Sequence, residues 1–204
     1  TVVVTRPPRR STDVKTWGEM AARTGDGSVG LWFDTTLAYD LATHRAVVPT
    51  RSEVLMKVGF IGLGNVGAKL SGSLLRNGYD LTVRDLDPVA AQPFLDGGAH
   101  WGESPKAMAQ ACDLVITCLP SPVASAAVME ADDGLLAGLS AGKIWAEMST
   151  TDEAEVTRLG ALVRAVGAEP VDCPVSGGCH RAATGNIAIF AGCERHTFDR
   201  MLPI

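Results

Sequence analysis

The stretch Val58-Gly59-Phe60-Ile61-Gly62-Leu63-Gly64-Asn65-Val66-Gly67 decides the fold that this sequence predicts. Its first four residues form a short apolar run, which is typical of a buried strand in a parallel sheet. Three glycines follow at the spacing G-x-G-x-x-G, and apolar residues then recur at helical spacing until Asn77-Gly78. A glycine loop between a strand and a helix is the arrangement that binds the pyrophosphate of a dinucleotide.

Each glycine of this loop has a separate physical role in that arrangement. Gly62 permits the tight turn after the strand, Gly64 lets the backbone approach the pyrophosphate, and Gly67 lets the helix pack closely on the strand. A Walker loop would need Gly-Lys-Ser/Thr, whereas the sequence continues Gly67-Ala68-Lys69-Leu70, so an ATPase is excluded. We expect the whole loop to hold the cofactor, namely Gly62, Leu63, Gly64, Asn65, Val66 and Gly67.

Asp85 follows a second predicted strand at residues 81–83 and lies 18 residues beyond Gly67. A carboxylate at this place accepts hydrogen bonds from the ribose hydroxyls of adenosine and repels a 2′-phosphate. The sequence therefore favours NAD as the cofactor. Arg84 leaves NADP open as the alternative, because a nearby arginine can accommodate the 2′-phosphate; otherwise Arg84 is a solvated charge at the strand end.

Strand and helix patterns alternate through the rest of the chain. We predict strands at residues 114–119, 143–148 and 187–191, a short strand that ends at Val171-Asp172, and a turn at Asp87 ahead of Pro88. Helices are predicted to open at Ser104-Pro105 and at Thr150-Thr151-Asp152-Glu153, which has the form of a capping box. This alternation predicts an α/β fold, a doubly wound and mostly parallel Rossmann sheet with helices on both faces.

Residues 1–55 differ from the remainder and carry no chemical motif. Their pattern suggests a short helix at 17–23, a strand at 29–33 and a linker at 48–52. We expect an N-terminal extension of unknown role and poor order, followed by a dinucleotide-binding domain at residues 56–204. An artefactual extension ahead of a natural start at Met56 and a piece of a preceding domain are the two explanations that stay open.

Composition narrows the classes of partner. The net charge of -5 argues against a nucleic-acid partner, and no apolar run approaches the roughly 18 residues of a membrane span. No Cys-x-x-Cys pair occurs among the five cysteines, so we expect reduced core thiols in a cytoplasmic protein, with a zinc site as the lesser alternative. The cysteines are Cys112, Cys118, Cys173, Cys179 and Cys193.

A second unusual stretch is Asp172-Cys173-Pro174-Val175-Ser176-Gly177-Gly178. A strand ends at the proline, and a serine hydroxyl and two glycine amides follow it. Such a loop can form a concave nest of hydrogen-bond donors for a carboxylate. A tight turn without a ligand is the alternative.

These two stretches, together with Leu119-Pro120, Met148-Ser149-Thr150 and Ala183-Thr184-Gly185-Asn186, occur in an order that identifies a family. From Lys57 onward the chain resembles the β-hydroxyacid dehydrogenases, most closely their 3-hydroxyisobutyrate dehydrogenase branch. The resemblance implies that Leu119 and Pro120 line the cofactor near the nicotinamide ribose and that Thr150 lies beside the nicotinamide. It also implies that Ser176, Gly177 and Gly178 hold the carboxylate of the substrate.

The resemblance further implies an NAD-dependent oxidoreductase that acts on the CH–OH group of a small β-hydroxyacid such as 3-hydroxyisobutyrate. Full-length relatives are expected to form homo-oligomers and to draw a catalytic lysine from a following helical domain. The last lysine of this sequence, Lys143, precedes the substrate loop, so we expect a truncated cofactor domain without a catalytic residue. His180 as a replacement base and Arg181 as a partner of the substrate carboxylate are lesser alternatives.

Two other functions stay open. The chain can be a dinucleotide-binding module that has no turnover of its own. It can also be a family member with another substrate, as in the tartronate semialdehyde reductases and the imine reductases.

Overall fold

The computed structural model describes residues 2–4, 38–40, 45–47 and 56–204. The chain divides into two compact units, residues 1–5 with 55–204 and residues 6–54. Strand β1 (Val2–Val4) belongs to the first unit. In the second unit, β2 (Ala38–Asp40) and β3 (Arg45–Val47) form an antiparallel pair. The helix predicted at 17–23, the strand predicted at 29–33, the linker at 48–52 and the expected poor order lie outside the described residues.

The first unit is built on a six-stranded sheet in which every neighbouring pair of strands is parallel. The strands are β4 (Val58–Ile61), β5 (Leu81–Arg84), β6 (His100–Trp101), β7 (Leu114–Thr117), β8 (Ile144–Glu147) and β9 (Glu169–Asp172). Their spatial order is β6-β5-β4-β7-β8-β9, so the order reverses between β4 and β7. The predicted doubly wound fold is confirmed, and such a reversal opens a crevice at the carboxyl ends of the strands.

Helices connect these strands and cover both faces of the sheet. They are α1 (Gly67–Arg76), α2 (Pro88–Asp96), α3 (Pro105–Ala111), α4 (Pro122–Glu130), α5 (Glu153–Ala165), α6 (Gly178–Thr184) and α7 (Arg195–Met201). A short 3-10 helix at Leu135–Ala137 follows α4. Within the described residues, no helix is both long and apolar enough to cross a membrane.

Two sequence predictions about helix starts are corrected by the capping bonds. Asp87 is the N-cap of α2, where its carboxylate accepts the Val89 N–H at 3.0 Å, so it begins a helix rather than only forming a turn. Asp152, not Thr150, caps α5 by accepting the Glu155 N–H at 3.1 Å. Both corrections have the same cause: the short carboxylate side chain of an aspartate reaches the free N–H groups of the first helical turn.

A smaller antiparallel sheet joins β1 to the other end of the chain. Its order is β1-β11-β10, with β10 at Val175–Ser176 and β11 at Ala188–Ala191. The register pairs Val2 with Ala191 and Val4 with Ile189. The sequence pattern did not predict β1, because a three-residue apolar run next to Pro7-Pro8 carries no strand signal of its own.

The hydrophobic core lies on both faces of the parallel sheet. Along β4 and β7, Phe60 and Ile116 pack into one cluster, whereas Ile61 and Val115 pack into the other. Successive side chains of a strand point to opposite faces, so fully apolar strands build two cores at once. Glu147 and Thr117 are the exceptions, because each is a polar side chain with 0% exposure at the carboxyl end of its strand.

Candidate functional site

The carboxyl ends of the strands meet in one row. Ile61 pairs with Arg84 on one side and with Thr117 on the other, and the register continues from Thr117 to Glu147 and on to Asp172. Five loops therefore leave the same edge of the sheet. They begin at Gly62, Asp85, Cys118, Met148 and Cys173.

Two glycines of the loop after β4 are required by close backbone packing. Gly62 has a φ of 100°, and a Cβ placed there would lie 2.3 Å from the carbonyl oxygen of Cys118. A Cβ on Gly67 would lie 1.9 Å from the carbonyl oxygen of Gly62. Both distances are far below any real contact, so these positions hold the loop against β7 and α1 against β4.

Gly64 has a different environment, because a Cβ placed there would meet nothing within 4 Å. The fold itself therefore does not need glycine at this position. The loop also has free donors, since among the described residues the amides of Gly64, Asn65, Val66 and Gly67 donate to no protein acceptor. Open space beside unpaired N–H groups at the start of a ten-residue helix fits a pyrophosphate.

Asp85 is held against this loop by two hydrogen bonds. Its Oδ2 accepts the Leu63 N–H at 2.6 Å, and its Oδ1 accepts the Asp87 N–H at 3.0 Å. A carboxylate has about four lone-pair positions, so two acceptor positions stay available for a ribose. The negative charge is thereby fixed beside the open space at Gly64.

The guanidinium of Arg84 is engaged by neighbouring protein groups. Its Nη1 donates to the carbonyl oxygens of Gly102 and Glu103, each at 2.7 Å. Its guanidinium carbon lies 5.4 Å from the ring centroid of Trp101, within the range of a cation–π contact. These contacts weaken the alternative in which Arg84 binds a 2′-phosphate.

Two exposed apolar side chains beside Asp85 were missed by the sequence reasoning. Leu86 is 100% exposed and Val89 is 74% exposed. An apolar side chain in water beside a ligand cleft offers a surface on which a flat ring can pack. A leucine directly after the strand-end carboxylate was the signal in the sequence.

Leu119, Pro120 and Thr150, which are predicted to lie near the nicotinamide, follow β7 and β8, on the opposite side of β4 from Asp85. A Cβ on Gly62 would lie 3.1 Å from Cδ2 of Leu119, so Leu119 borders the loop. The Leu119 N–H donates to Oγ of Ser149 at 2.7 Å, which links the loop after β7 to the loop after β8. Pro120 and Thr150 are exposed at this edge.

Glu147 is a buried residue beneath this edge that the sequence reasoning also missed. Its Oε1 accepts the Ser149 N–H at 2.9 Å and the Ser149 hydroxyl, and its Oε2 accepts the Ser125 hydroxyl at 2.9 Å. Burial raises the pKa of this carboxyl above 4.5, and the serine hydrogen bonds oppose that rise. An acidic residue inside an apolar strand was the available signal.

The second predicted stretch forms the start of α6. Gly177 and Gly178 have φ angles of 129° and 74°, which only glycine adopts readily, and Ser176 ends β10 just before them. The helix rests on α1, where Arg76 donates to the carbonyl oxygen of Ala183 at 2.7 Å. The segment Ser176-Gly177-Gly178 therefore lies at the start of a helix that packs against α1.

His180 and Arg181 are both exposed on α6. A Cβ on Gly177 would lie 2.9 Å from Cδ of Arg181, so the arginine stem covers this glycine. Lys143 lies elsewhere, where its Nζ donates to the carbonyl oxygens of Gln110 and Cys112.

The cysteines differ in exposure. All five are free thiols, and Cys112 and Cys173 are buried as predicted, but Cys179 is exposed because it lies on the solvent side of α6. Burial, with a further contribution from the charge of Glu147, raises the pKa of Cys118 to about 11, so this thiol stays protonated. Among the described residues no cluster of ligating side chains could hold a metal ion.

Residues 57–204 match the model of a family described as the NAD binding domain of 6-phosphogluconate dehydrogenase. The mitochondrial 3-hydroxyisobutyrate dehydrogenase of Mus musculus is 32% identical over 175 residues, 85% of this chain and 52% of that protein. The cytokine-like nuclear factor N-PAC of Homo sapiens is 29% identical over 158 residues, 78% of this chain and 28% of that protein. The chain thus spans about half the length of the mouse relative.

Solved structures show the same similarity. The 3-hydroxyisobutyrate dehydrogenase of Mycobacterium tuberculosis, solved with L-serine, superposes with a TM-score of 0.68 at 29% identity, covering 74% of this chain and 50% of that chain. A reductive aminase of Aspergillus terreus, solved with NADPH and ethyl levulinate, superposes with a TM-score of 0.56 at 26% identity. That alignment covers 63% of this chain and 44% of the aminase.

Proposed function

Because the chain belongs to the family of the NAD-binding domain of 6-phosphogluconate dehydrogenase, and is thus an NAD(P)-binding domain of the dehydrogenase type, we propose that it binds NAD across the carboxyl edge of its sheet. The observation that carries this proposal is the open space at Gly64, bordered by four free amides and by the fixed carboxylate of Asp85. Under it, the glycine loop holds the pyrophosphate and Asp85 holds the adenosine ribose.

The preference for NAD over NADP is supported by charge. The Asp85 carboxylate would face a 2′-phosphate of the same sign, and the nearest arginine, Arg84, is engaged by Gly102, Glu103 and Trp101. The aminase solved with NADPH shows that relatives can take the phosphorylated cofactor. Here the local charges oppose it.

We further propose that the whole protein is a dehydrogenase of a small β-hydroxyacid such as 3-hydroxyisobutyrate. The similarity to two enzymes of that name supports this substrate. The amides of Gly177 and Gly178 and the Ser176 hydroxyl would hold the substrate carboxylate. A bound NAD would supply the hydride acceptor for oxidation of the carbon that carries the hydroxyl.

The described residues would position the cofactor and the substrate and keep water out of the site, rather than transfer a proton. Leu119 and Pro120 would border the nicotinamide ribose, and Thr150 would lie beside the nicotinamide. Among the side chains at this edge, the Cys118 thiol stays protonated and Glu147 is fully buried, so neither can accept the hydroxyl proton. His180 is a lesser candidate for the base near Gly177 and Gly178, and we propose that a lysine of the whole protein is the base, as the resemblance implies.

A non-catalytic dinucleotide-binding module is the second candidate, and a specific observation favours it. A relative that is 29% identical over 158 residues bears the name of a nuclear factor. The aminase similarity likewise keeps another substrate open.

One experiment can reject the binding module. NADH binding is measured by the quenching or enhancement of its fluorescence, and turnover is measured as NADH formation from NAD and 3-hydroxyisobutyrate. Turnover by the 204-residue chain rejects the binding module, whereas binding without turnover is expected for a binding module and also for a dehydrogenase that takes its base from another part of the whole protein. Absence of NADH binding would contradict both.

We propose a reducing compartment, the cytoplasm, because all five cysteines are free, including the exposed Cys179.

A further inference from the structure

Glu147 is a carboxyl group that the proposed reaction does not use. It ends β8 with 0% exposure, and three hydrogen bonds converge on its two oxygens from Ser125 and Ser149. A buried carboxyl is costly unless its oxygens are satisfied. An apolar residue would fill this strand position at lower cost, so the carboxyl has a task that packing alone does not explain.

The hydrogen bonds of Glu147 connect three separate segments. Ser149 Oγ accepts the Leu119 N–H at 2.7 Å, and its hydroxyl donates to Oε1 of Glu147. The hydrogen-bonded chain therefore runs from the Leu119 N–H through the Ser149 O–H to Glu147 Oε1. On α4, the Ser125 hydroxyl donates to Glu147 Oε2 at 2.9 Å. The loop after β7, the loop after β8 and the first turns of α4 are thereby fixed to one buried group.

The strand order locates these loops relative to a bound dinucleotide. Asp85 follows β5 on one side of β4, whereas Leu119 and Ser149 follow β7 and β8 on the other side. A dinucleotide with its pyrophosphate at Gly64 and its adenosine ribose at Asp85 must extend its nicotinamide half over β7 and β8. The loops tied to Glu147 are the ones that this half would cover.

We propose that Glu147 is a positioning residue that, through Ser149 and the Leu119 amide, holds the two loops bordering the nicotinamide half of the cofactor. The inference rests on the proposed function and adds to it a residue that touches neither cofactor nor substrate. Glu147 has no role in binding the adenosine half of the cofactor under this proposal. The two halves of the cofactor can therefore be tested separately.

The test compares NADH with ADP, which lacks both the nicotinamide and its ribose, by calorimetric titration of the full 204-residue chain. Glu147→Leu and Ser149→Ala are expected to raise the Kd for NADH about tenfold and to leave the Kd for ADP within about twofold. Glu147→Gln keeps an oxygen acceptor for Ser149 and is expected to restore most of the NADH affinity. Glu130→Gln, an exposed acid on the same α4, is the matched control and is expected to change neither Kd.

Each other outcome overturns the inference. Equal losses for NADH and ADP in both variants would show a general structural role, and unchanged NADH binding would show no role. If Glu147→Leu does not fold, Ser149→Ala decides, because it removes only the oxygen between Leu119 and the carboxyl. If the wild-type chain binds ADP and NADH and the variants bind both equally well, only the inference about Glu147 is rejected. If the wild-type chain binds neither ligand, the proposed function is rejected and this inference with it.

Discussion

Gly64 and Gly67 lie three residues apart, yet a side chain would meet entirely different surroundings at each. We predict that Gly64→Ala keeps the unfolding midpoint of the wild type but weakens NADH binding at least about tenfold, because its methyl group enters only the open space. Gly67→Ala is expected to lose about 1–3 kcal/mol of stability as well, since its Cβ would lie 1.9 Å from a carbonyl oxygen. Urea unfolding and NADH titration measure the two effects. Equal stability losses in both variants would contradict the prediction.

Asp85 offers a test of cofactor choice at a single charge. Asp85→Asn keeps an oxygen for the Leu63 N–H but removes the negative charge that would face a 2′-phosphate. We expect the ratio of NADP to NAD affinity to rise about tenfold, measured as competing Kd values for NADPH and NADH. Asp96→Asn, an exposed acid at the end of α2, is the control. An unchanged ratio would show that the Asp85 charge does not select the cofactor.

The pKa of Glu147 leads to a prediction about stability and pH. Burial raises this pKa in the folded chain above its ordinary value of 4.5. Below that value the carboxyl is protonated in both the folded and the unfolded chain. As the pH rises, the unfolded chain releases this proton first, so the free energy of unfolding falls until the pH passes the folded-state pKa. The side chain of Glu147→Gln does not titrate in this pH range. We therefore expect the stability of Glu147→Gln relative to the wild type to increase from pH 4 to pH 7.5 in urea unfolding, and a constant difference would contradict the assignment.

At the level of the elements, the strands were predicted best where local signals were strong. The run before Gly62 and the strands near 81–83 and 114–119 were found because apolar runs are bounded by turn residues. The strand after Leu114 ends earlier than predicted, at Thr117, because Cys118 and Leu119 already turn toward the glycine loop. Helices α2 and α4 were missed, although Ser121-Pro122 before α4 has the same form as Ser104-Pro105, from which α3 was predicted.

A helix cap outside the residues assigned to the cofactor gives a prediction on stability alone. Ser104 caps α3 by accepting the Ala107 N–H at 3.1 Å. We expect Ser104→Ala to lower the free energy of unfolding by about 1 kcal/mol, because a helix-terminal N–H loses its acceptor. The Kd for NADH is expected to stay unchanged. A change in NADH binding would connect this helix to the site.

The whole molecule offers a test of the proposed domain boundary. All residues assigned to the cofactor lie within 56–204, whereas β1 contributes main-chain hydrogen bonds to β11 from residues 2–4. We predict that a chain of residues 56–204 binds NADH within about twofold of the full chain but unfolds at a lower urea concentration. Unfolding at the same urea concentration would show that β1 adds nothing to stability. Loss of NADH binding would place part of the site in the first 55 residues.

The sequence by itself determined the fold class, the glycine loop and Asp85, because each depends on local spacing between neighbouring elements. The roles of Leu119, Thr150 and Ser176 came from resemblance and stay predictions. Only the tertiary structure decided that Arg84 is engaged by Gly102 and Glu103, and that Glu147 ties two loops through Ser149. These contacts join residues far apart in sequence, and a hydrogen bond between such residues depends on the strand order and register that folding creates.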